Sequence, residues 1–200
     1  MSGALYGPAM LDLSRRSFLR LSGAAAAGAV LAPEVADAAA KPHLSPVGAL
    51  PRPVQATLEE TMGVAIAEAR KAFYAFGAVL VDVRTGKVVA RGHNDAQHDP
   101  SAHAEVVTMR NGGRAGVDFS RTVLVTTAES CPMCASCAVW AGVAGVAYGS
   151  SIAYLVARGW NQIRITQPTV VAKGFVPMPV VGGVLRSQTD PLYASGPPGR

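Results

Sequence analysis

Apolar residues recur at three- and four-residue spacing soon after residue 57, and this pattern predicts a helix over 57–73. Thr57 is a suitable N-cap for it, and Glu60 completes a capping box three residues later. Two short apolar runs follow over 79–83 and 88–92, and the turn residues between them predict a β-hairpin. The apolar face of the helix consists of Leu58, Met62, Ala65, Ile66 and Ala69.

Helical and strand patterns alternate in the second half of the chain. Cap and breaker residues predict helices over 101–110, 130–142 and 150–158. Continuous apolar runs over 122–127 and 143–148 predict buried strands. This alternation is typical of an α/β fold.

The composition is that of a folded globular chain. Half of the 200 residues are hydrophobic and only 16% are charged, which argues against disorder. The net charge is +5, but no cluster of lysines and arginines stands out. We therefore interpret the positive charge as a solvated basic surface and do not expect a nucleic-acid partner.

The N-terminal 40 residues have the pattern of an export signal. The twin-arginine pair Arg15-Arg16 precedes a Gly/Ala-rich apolar run over 21–32, which is too short to span a bilayer. Small residues over 36–40 fit a cleavage site. We predict a Tat signal peptide over 1–40, export to the bacterial periplasm or the extracellular space, and no membrane association after processing. A Pro-rich extended linker is predicted over 41–54.

Two short segments contain the residues that indicate chemistry. Cys131 and Cys134 lie one helical turn apart, so both sulfurs can face one point, and His103 supplies a third ligand for zinc. Glu105 is then a free carboxylate beside the metal, as a hydrolytic proton shuttle must be. The pattern predicts one catalytic zinc ion per chain; the alternatives are a structural zinc site or two buried thiols. Cys137 is most simply a buried free thiol.

The sequences Asp-Pro-Ser-Ala-His-Ala-Glu over 99–105 and Cys-Pro-Met-Cys-Ala over 131–135 resemble those of the zinc-dependent cytidine/nucleobase deaminase superfamily. The similarity extends over about residues 57–148. The two quoted sequences are close to the form found in bacterial guanine deaminases and tRNA adenosine deaminases. It implies a three-layer α/β/α domain over 55–190, with a central mixed sheet of about five strands, and a flexible tail over 191–200. Ser130 stands where the family usually has proline, and we expect it to cap the helix.

The resemblance also implies a reaction and a set of substrate-binding residues. Hydroxide on zinc attacks the amino-bearing carbon of a base while Glu105 transfers protons, and ammonia leaves. Asn94 would bind the substrate, or else cap a turn; Phe76 would stack on the base, or else belong to the core. Trp140 would line the base pocket, or else lie on a buried helix face, and Ala104 is the fourth binding residue. The resembled guanine deaminases carry acidic residues near 161–162, where this chain has Asn and Gln, so the base is left open.

The predicted function is a hydrolytic deaminase that acts on a free nucleobase or nucleoside of the guanine or cytosine type. The alternatives are a tRNA adenosine deaminase, an exported zinc-binding module without turnover, and an interaction protein that uses the fold as a scaffold. Export would separate the chain from tRNA. Members of the superfamily commonly form dimers or tetramers, so we also expect a homo-oligomer.

Overall fold

The computed structural model describes residues 42–199. The predicted signal peptide and its cleavage site therefore lie outside the described residues. Within 42–199, no helix is both long enough and apolar enough to cross a bilayer. The helices are α1 (Arg52–Ala69), α2 (Ala104–Arg114), α3 (Pro132–Ala141), α4 (Ile152–Ala157), α5 (Gln167–Ala172) and α6 (Arg186–Thr189). The strands are β1 (Gly77–Asp82), β2 (Val88–His93), β3 (Thr122–Ala128), β4 (Gly145–Ser150) and β5 (Val180–Val181).

A five-stranded mixed sheet in the order β2-β1-β3-β4-β5 forms the centre of the domain. β1 pairs antiparallel with β2 and β3, whereas β3, β4 and β5 run parallel. Alternate side chains of the strands point to opposite faces of the sheet, so each face builds its own core. The core on one face joins Val79, Val81 and Val125 to α1. The core on the other face joins Leu80 and Leu124 to α2 and α3, so the predicted α/β/α layering is confirmed.

The first helix begins earlier than its sequence pattern predicts. Pro51 occupies the N-cap position, and Pro53 lies in the first turn of the helix. Proline is well tolerated there, so α1 can start at Arg52. Thr57 is inside the helix and donates its hydroxyl to the carbonyl of Gly86, at 2.9 Å, and to that of Pro53. The predicted capping box is therefore wrong. Part of the predicted linker packs on the domain, since Leu50 and Val54 are buried.

Two further boundaries differ from the prediction. The glycines expected to end the helix after residue 110 lie inside α2, which continues to Arg114. A Cβ at Gly112 would lie 2.8 Å from Leu80 Cδ1, so glycine at this position permits close helix–sheet packing. The predicted flexible tail is also different, because the side chain of Tyr193 is fully buried. Its hydroxyl donates to the Thr127 hydroxyl at 2.7 Å, which attaches the tail to the end of β3.

Candidate active site

The starts of α2 and α3 bring the predicted ligands together. His103 is the N-cap residue of α2, and Cys131 is the N-cap residue of α3. Neither side chain caps its own helix, so both are available for a ligand. Asp99 stabilises the turn before α2, because its carboxylate accepts hydrogen bonds from the Ser101 amide and hydroxyl, at 2.8 and 2.7 Å. Ser130 was expected to cap α3, but the cap position belongs to Cys131, and Ser130 is buried beside it.

Three ligand atoms form a small triangle at this point. The Cys131 and Cys134 sulfurs are 3.7 Å apart, and each lies 3.6 Å from His103 Nδ1. Zinc bonds to sulfur at about 2.3 Å and to imidazole at about 2.0–2.1 Å, so a tetrahedral site has S–S edges of about 3.8 Å and S–N edges of about 3.5–3.6 Å. The triangle therefore has the dimensions of three corners of a zinc tetrahedron, and within residues 42–199 these side chains are positioned to hold a metal ion.

The ligands influence one another electrostatically. The hydrogen bond with Cys134 and, after it, the hydrogen bond with His103 outweigh the effect of burial and lower the pKa of Cys131 to about 4. The same sulfur contact, together with burial, raises the pKa of Cys134. The hydrogen bond with Cys131 raises the pKa of His103. Two thiols this close resist simultaneous ionisation unless a cation compensates their charge, which is what a divalent metal does.

Glu105 lies in the first turn of α2 and is buried, with 6% of its surface exposed. Burial raises the pKa of its carboxyl group, and the nearby charge of Cys131 raises it further. The neighbouring Ser130 hydroxyl opposes this rise, although it makes no hydrogen bond to any residue of 42–199. A carboxyl group with a raised pKa beside a metal site is suited to both accepting and donating a proton near neutral pH.

A cavity of about 410 Å³ opens onto these residues. Asn94 lines it, and its side-chain oxygen accepts a hydrogen bond from the Ala96 amide at 3.0 Å. The side-chain nitrogen of Asn94 makes no hydrogen bond within residues 42–199 and is available to a ligand. Asn94 thus forms a turn and also lines the cavity, and its binding to a substrate stays a prediction. The cavity is lined by Tyr74, Phe76, Asn94, Ala96, His103, Glu105, Glu129, Cys131, Trp160, Asn161, Gln162, Pro197, Pro198 and Gly199.

Aromatic rings build one wall of the cavity. Phe76 meets Trp160 edge to face, with ring centroids 5.1 Å apart, and lies 4.9 Å from the ring of Tyr193. The Trp160 indole N–H donates to the Tyr193 carbonyl at 3.1 Å, so the ring is fixed by the C-terminal segment. Phe76 is therefore a packed aromatic residue that also lines the cavity, and its stacking on a base stays a prediction. Flat apolar walls of this kind suit a planar heterocycle.

Two of the expected substrate-binding residues lie away from the cavity surface. The Trp140 side chain is 77% exposed and packs edge to face against Phe175, with centroids 4.7 Å apart. It neither lines the cavity nor lies on the buried face of α3, which consists of Cys134, Ala135, Ala138 and Val139. Ala104 is fully buried under the start of α2 and does not line the cavity. Cys137 is half-buried, and burial raises the pKa of its thiol.

The sequence patterns missed several residues that line the cavity. Trp160 and Glu129 are among them, as is the C-terminal segment Pro197–Gly199. Glu129 had one available signal, since it is an acidic residue at the end of an apolar strand, two positions before Cys131. The C-terminal segment carried no comparable signal, because its Gly/Pro composition is equally typical of a solvated tail.

Residues 55–150 match the sequence model of the cytidine and deoxycytidylate deaminase zinc-binding region. Residues 12–32 match the signal sequence of the twin-arginine translocation pathway, so the predicted export signal is confirmed as a sequence feature. Among curated proteins, the chain is 35% identical over 79 residues to the guanine deaminase of Bacillus subtilis, covering 38% of this chain and 49% of that enzyme. It is 34% identical over 79 residues to a tRNA-specific adenosine deaminase of Haemophilus influenzae, covering 38% and 45%. The chain thus spans about half the length of these relatives.

Solved structures show the same fold. A guanine deaminase from Nitrosomonas europaea superimposes with a TM-score of 0.57 at 22% identity, over 67% of this chain and 81% of that one. A structure from a study of tRNA:A34 deaminases gives a TM-score of 0.56 at 25% identity, over 66% and 98%. The fold and the ligand triangle agree with the sequence match. Residues 55–150 therefore form a cytidine and deoxycytidylate deaminase zinc-binding region, and the chain has guanine deaminases and tRNA adenosine deaminases among its relatives.

Proposed function

We propose that this protein is a hydrolytic deaminase that releases ammonia from a free nucleobase or nucleoside of the guanine or cytosine type. The observation that carries the proposal is the zinc-sized triangle of His103, Cys131 and Cys134, with the Glu105 carboxyl group at the same cavity. Zinc held by these three residues supplies a Lewis acid that lowers the pKa of a water molecule and so provides a nucleophile near neutral pH.

Glu105 would move the protons of the reaction. It accepts the proton released by water and delivers it to a ring nitrogen, which makes the adjacent amino-bearing carbon more electrophilic. After hydroxide has added to that carbon, Glu105 takes the remaining proton of the added hydroxyl and gives it to the amino group, so that a carbonyl forms, the C–N bond breaks and ammonia leaves. Burial supports this role because it raises the pKa of the Glu105 carboxyl group toward the range in which it can both take and give a proton.

The cavity walls would hold the base. The Asn94 side-chain nitrogen can donate to an acceptor on the edge of the ring, and Phe76 provides an apolar surface beside it. Asn161 and Gln162 add amide groups to the lining of the cavity. We keep Asn94 and Phe76 as proposed substrate-binding residues. Trp140 does not line this cavity and is not part of the proposal, and its contact with the base stays a prediction.

Ammonia release from a panel of substrates tests the proposal. The panel comprises guanine, adenine, cytosine, their nucleosides and a short tRNA hairpin, each incubated with the zinc-loaded full chain. We expect turnover of a free base or nucleoside. Turnover of the hairpin alone would instead assign a tRNA adenosine deaminase activity. The observation that favours this alternative is the match to the structure from the tRNA:A34 deaminase study, of which 98% is covered.

Glu105→Gln is the matched control for the panel because it keeps the shape of the side chain and removes its basicity. We expect turnover to fall by about 10²- to 10⁴-fold while one zinc ion per chain is retained. Substantial activity in this variant would remove Glu105 from the mechanism. Zinc binding without turnover on any substrate would favour a binding module over an enzyme.

Export and assembly are further parts of the proposal. The twin-arginine match at 12–32 supports transport of the folded, zinc-loaded chain to the periplasm or the exterior. Replacing Arg15 and Arg16 by lysines should leave the protein in the cytoplasmic fraction; unchanged export would refute this route. The expected homo-oligomer is tested by sedimentation equilibrium of the zinc-loaded chain, and a monomer at micromolar concentration would refute it.

A further inference from the structure

Glu129 occupies a junction between the ligand helix and the cavity. It directly follows β3 and precedes the ligand Cys131 by two residues. Its backbone N–H donates to the Ser150 carbonyl at 2.7 Å, which ties it to the end of β4. Its side chain is 5% exposed and lines the cavity. A carboxylate buried to this degree needs strong hydrogen-bond donors.

The donors come from the starts of two helices. Glu129 Oε2 accepts from the Ile152 amide at 2.8 Å, and Oε1 accepts from the Gln167 amide at 2.9 Å. Ile152 is the first residue of α4, and Gln167 is the first residue of α5. Amide groups at helix starts have no partner within their own helix, and they favour an anion. The single carboxylate therefore holds both helix starts.

The segment between these two amides is a wall of the cavity. Trp160, Asn161 and Gln162 lie between Ile152 and Gln167 and line the cavity. The chain has no helix or strand between the end of α4 and the start of α5. The position of this stretch therefore depends on how its ends are held, and the Trp160 bond to the Tyr193 carbonyl holds its middle.

We propose that Glu129 is a positioning residue that fixes the Trp160–Gln162 wall of the substrate cavity relative to the zinc ligand Cys131. We call the two hydrogen bonds from the Ile152 and Gln167 amides to the Glu129 carboxylate the clamp. The inference rests on the proposed function for its substrate, but the clamp itself is a property of the folded chain. A wall that contacts the bound base in the ground state and the transition state alike contributes to binding and little to the chemical step. Release of the wall therefore raises KM and leaves kcat nearly unchanged.

Glu129→Gln tests the clamp with a minimal change of shape. A glutamine has one acceptor oxygen, and its NH₂ group would face an amide that also donates, so one of the two bonds to Ile152 and Gln167 is lost. We expect amide hydrogen exchange at one or both of these residues, measured by NMR on the zinc-loaded full chain, to become about ten- to hundredfold faster. Glu68→Gln is the matched control, because Glu68 is also a buried carboxylate but binds Lys71 and His93.

The exchange measurement is independent of turnover. Unchanged exchange at both amides in Glu129→Gln would overturn the clamp, as would an equal acceleration in Glu68→Gln. Activity on guanine then tests the wall. A KM raised about tenfold with kcat within about threefold supports the positioning role, and faster exchange with an unchanged KM overturns it. Absence of turnover in the unmodified chain would refute guanine as substrate and leave the exchange result valid.

A second pair of variants keeps the test decisive if Glu129→Gln loses zinc or fails to fold. Gln167→Pro removes one donor and leaves the carboxylate intact, and proline suits the first position of a helix after the extended Thr166. Gln167→Ala removes the same side chain but keeps the N–H. Faster exchange at Ile152 and a higher KM for guanine in the proline variant relative to the alanine variant support the clamp. Equal behaviour of the two variants overturns it.

Discussion

Tyr193 provides a quantitative test of whether the C-terminal segment belongs to the folded domain. Its ring is fully buried against Phe76 and Trp160, with centroids 4.9 and 5.7 Å away. Its hydroxyl donates to Thr127 Oγ1 at 2.7 Å. Two substitutions separate these contributions, because Tyr193→Phe removes only the hydroxyl and Tyr193→Ala removes the ring as well.

The two substitutions should lower the free energy of unfolding by different amounts. Deleting a fully buried aromatic side chain costs about 3–5 kcal/mol, through lost burial and the cavity left behind. The phenylalanine variant loses one hydrogen bond, and Thr127 Oγ1 keeps its contacts with the Gly77 amide and carbonyl, at 3.0 and 3.2 Å. No buried group is left without a partner, so the cost of that variant is about 1 kcal/mol.

Urea unfolding of the zinc-loaded full chain, followed by circular dichroism, measures both values. The free zinc concentration must be held constant, because any ligand of the native state adds to the apparent stability. Phe175→Ala is the control: this phenylalanine is 63% exposed, and its loss should cost within about 0.5 kcal/mol. A Tyr193→Ala variant that loses less than about 1 kcal/mol would refute the packing role of the segment and restore the flexible tail.

Three further predictions concern the remainder of the domain. Gly77→Ala should destabilise the fold by more than about 2 kcal/mol in the same urea assay, because a Cβ at this position would collide with the backbone of α1. Gly63→Ala is the control and should stabilise the fold by about 0.5–1 kcal/mol, because there is open space around Gly63. Equal changes in unfolding free energy for the two variants would contradict this prediction. Burial raises the pKa of Glu68, but hydrogen bonds, led by that of Lys71, outweigh it and lower the pKa below 4.5. The resulting stabilisation is therefore complete above pH 4.5 and lost as the pH falls through the folded-state value, and a Glu68→Gln variant with an unchanged acid-unfolding curve would contradict it. Cys131→Ala should bind zinc with less than one equivalent by atomic absorption after dialysis, whereas full metal content would refute the ligand assignment.

The hairpin and the ligand set were predictable because their signals are local. The turn before β2 contains Gly86 with φ of 67°, a conformation that glycine adopts without strain. Cys131 and Cys134 are close in space because they are close in sequence at the start of one helix. Helix boundaries were less predictable. The α1 start at Arg52 depends on tolerance of proline in a first turn, and the α2 end depends on how Gly112 packs against the sheet.

The orientation of aromatic residues was beyond the sequence pattern. Trp140 lies in the last turn of α3 and Trp160 lies just after α4, yet Trp140 is on the outer surface and Trp160 lines the cavity. The difference arises from the partner that each meets, since Trp160 reaches the carbonyl of Tyr193 from a distant part of the chain. The residues next to Trp160 in the sequence contain no information about its contact with Tyr193.

The sequence by itself determined the class of fold, the export signal and the residues able to bind zinc, since each depends on spacing within a few turns of chain. Only the tertiary structure decided what surrounds that centre. Glu129 meets Ile152 and Gln167 because parallel pairing of β3 with β4 aligns the ends of these strands at one edge of the sheet. The burial of Tyr193 likewise depends on where the sheet leaves room for a ring. The physical reason is that such contacts join residues far apart in sequence, and their free energy comes from packing that exists only after the strands have paired.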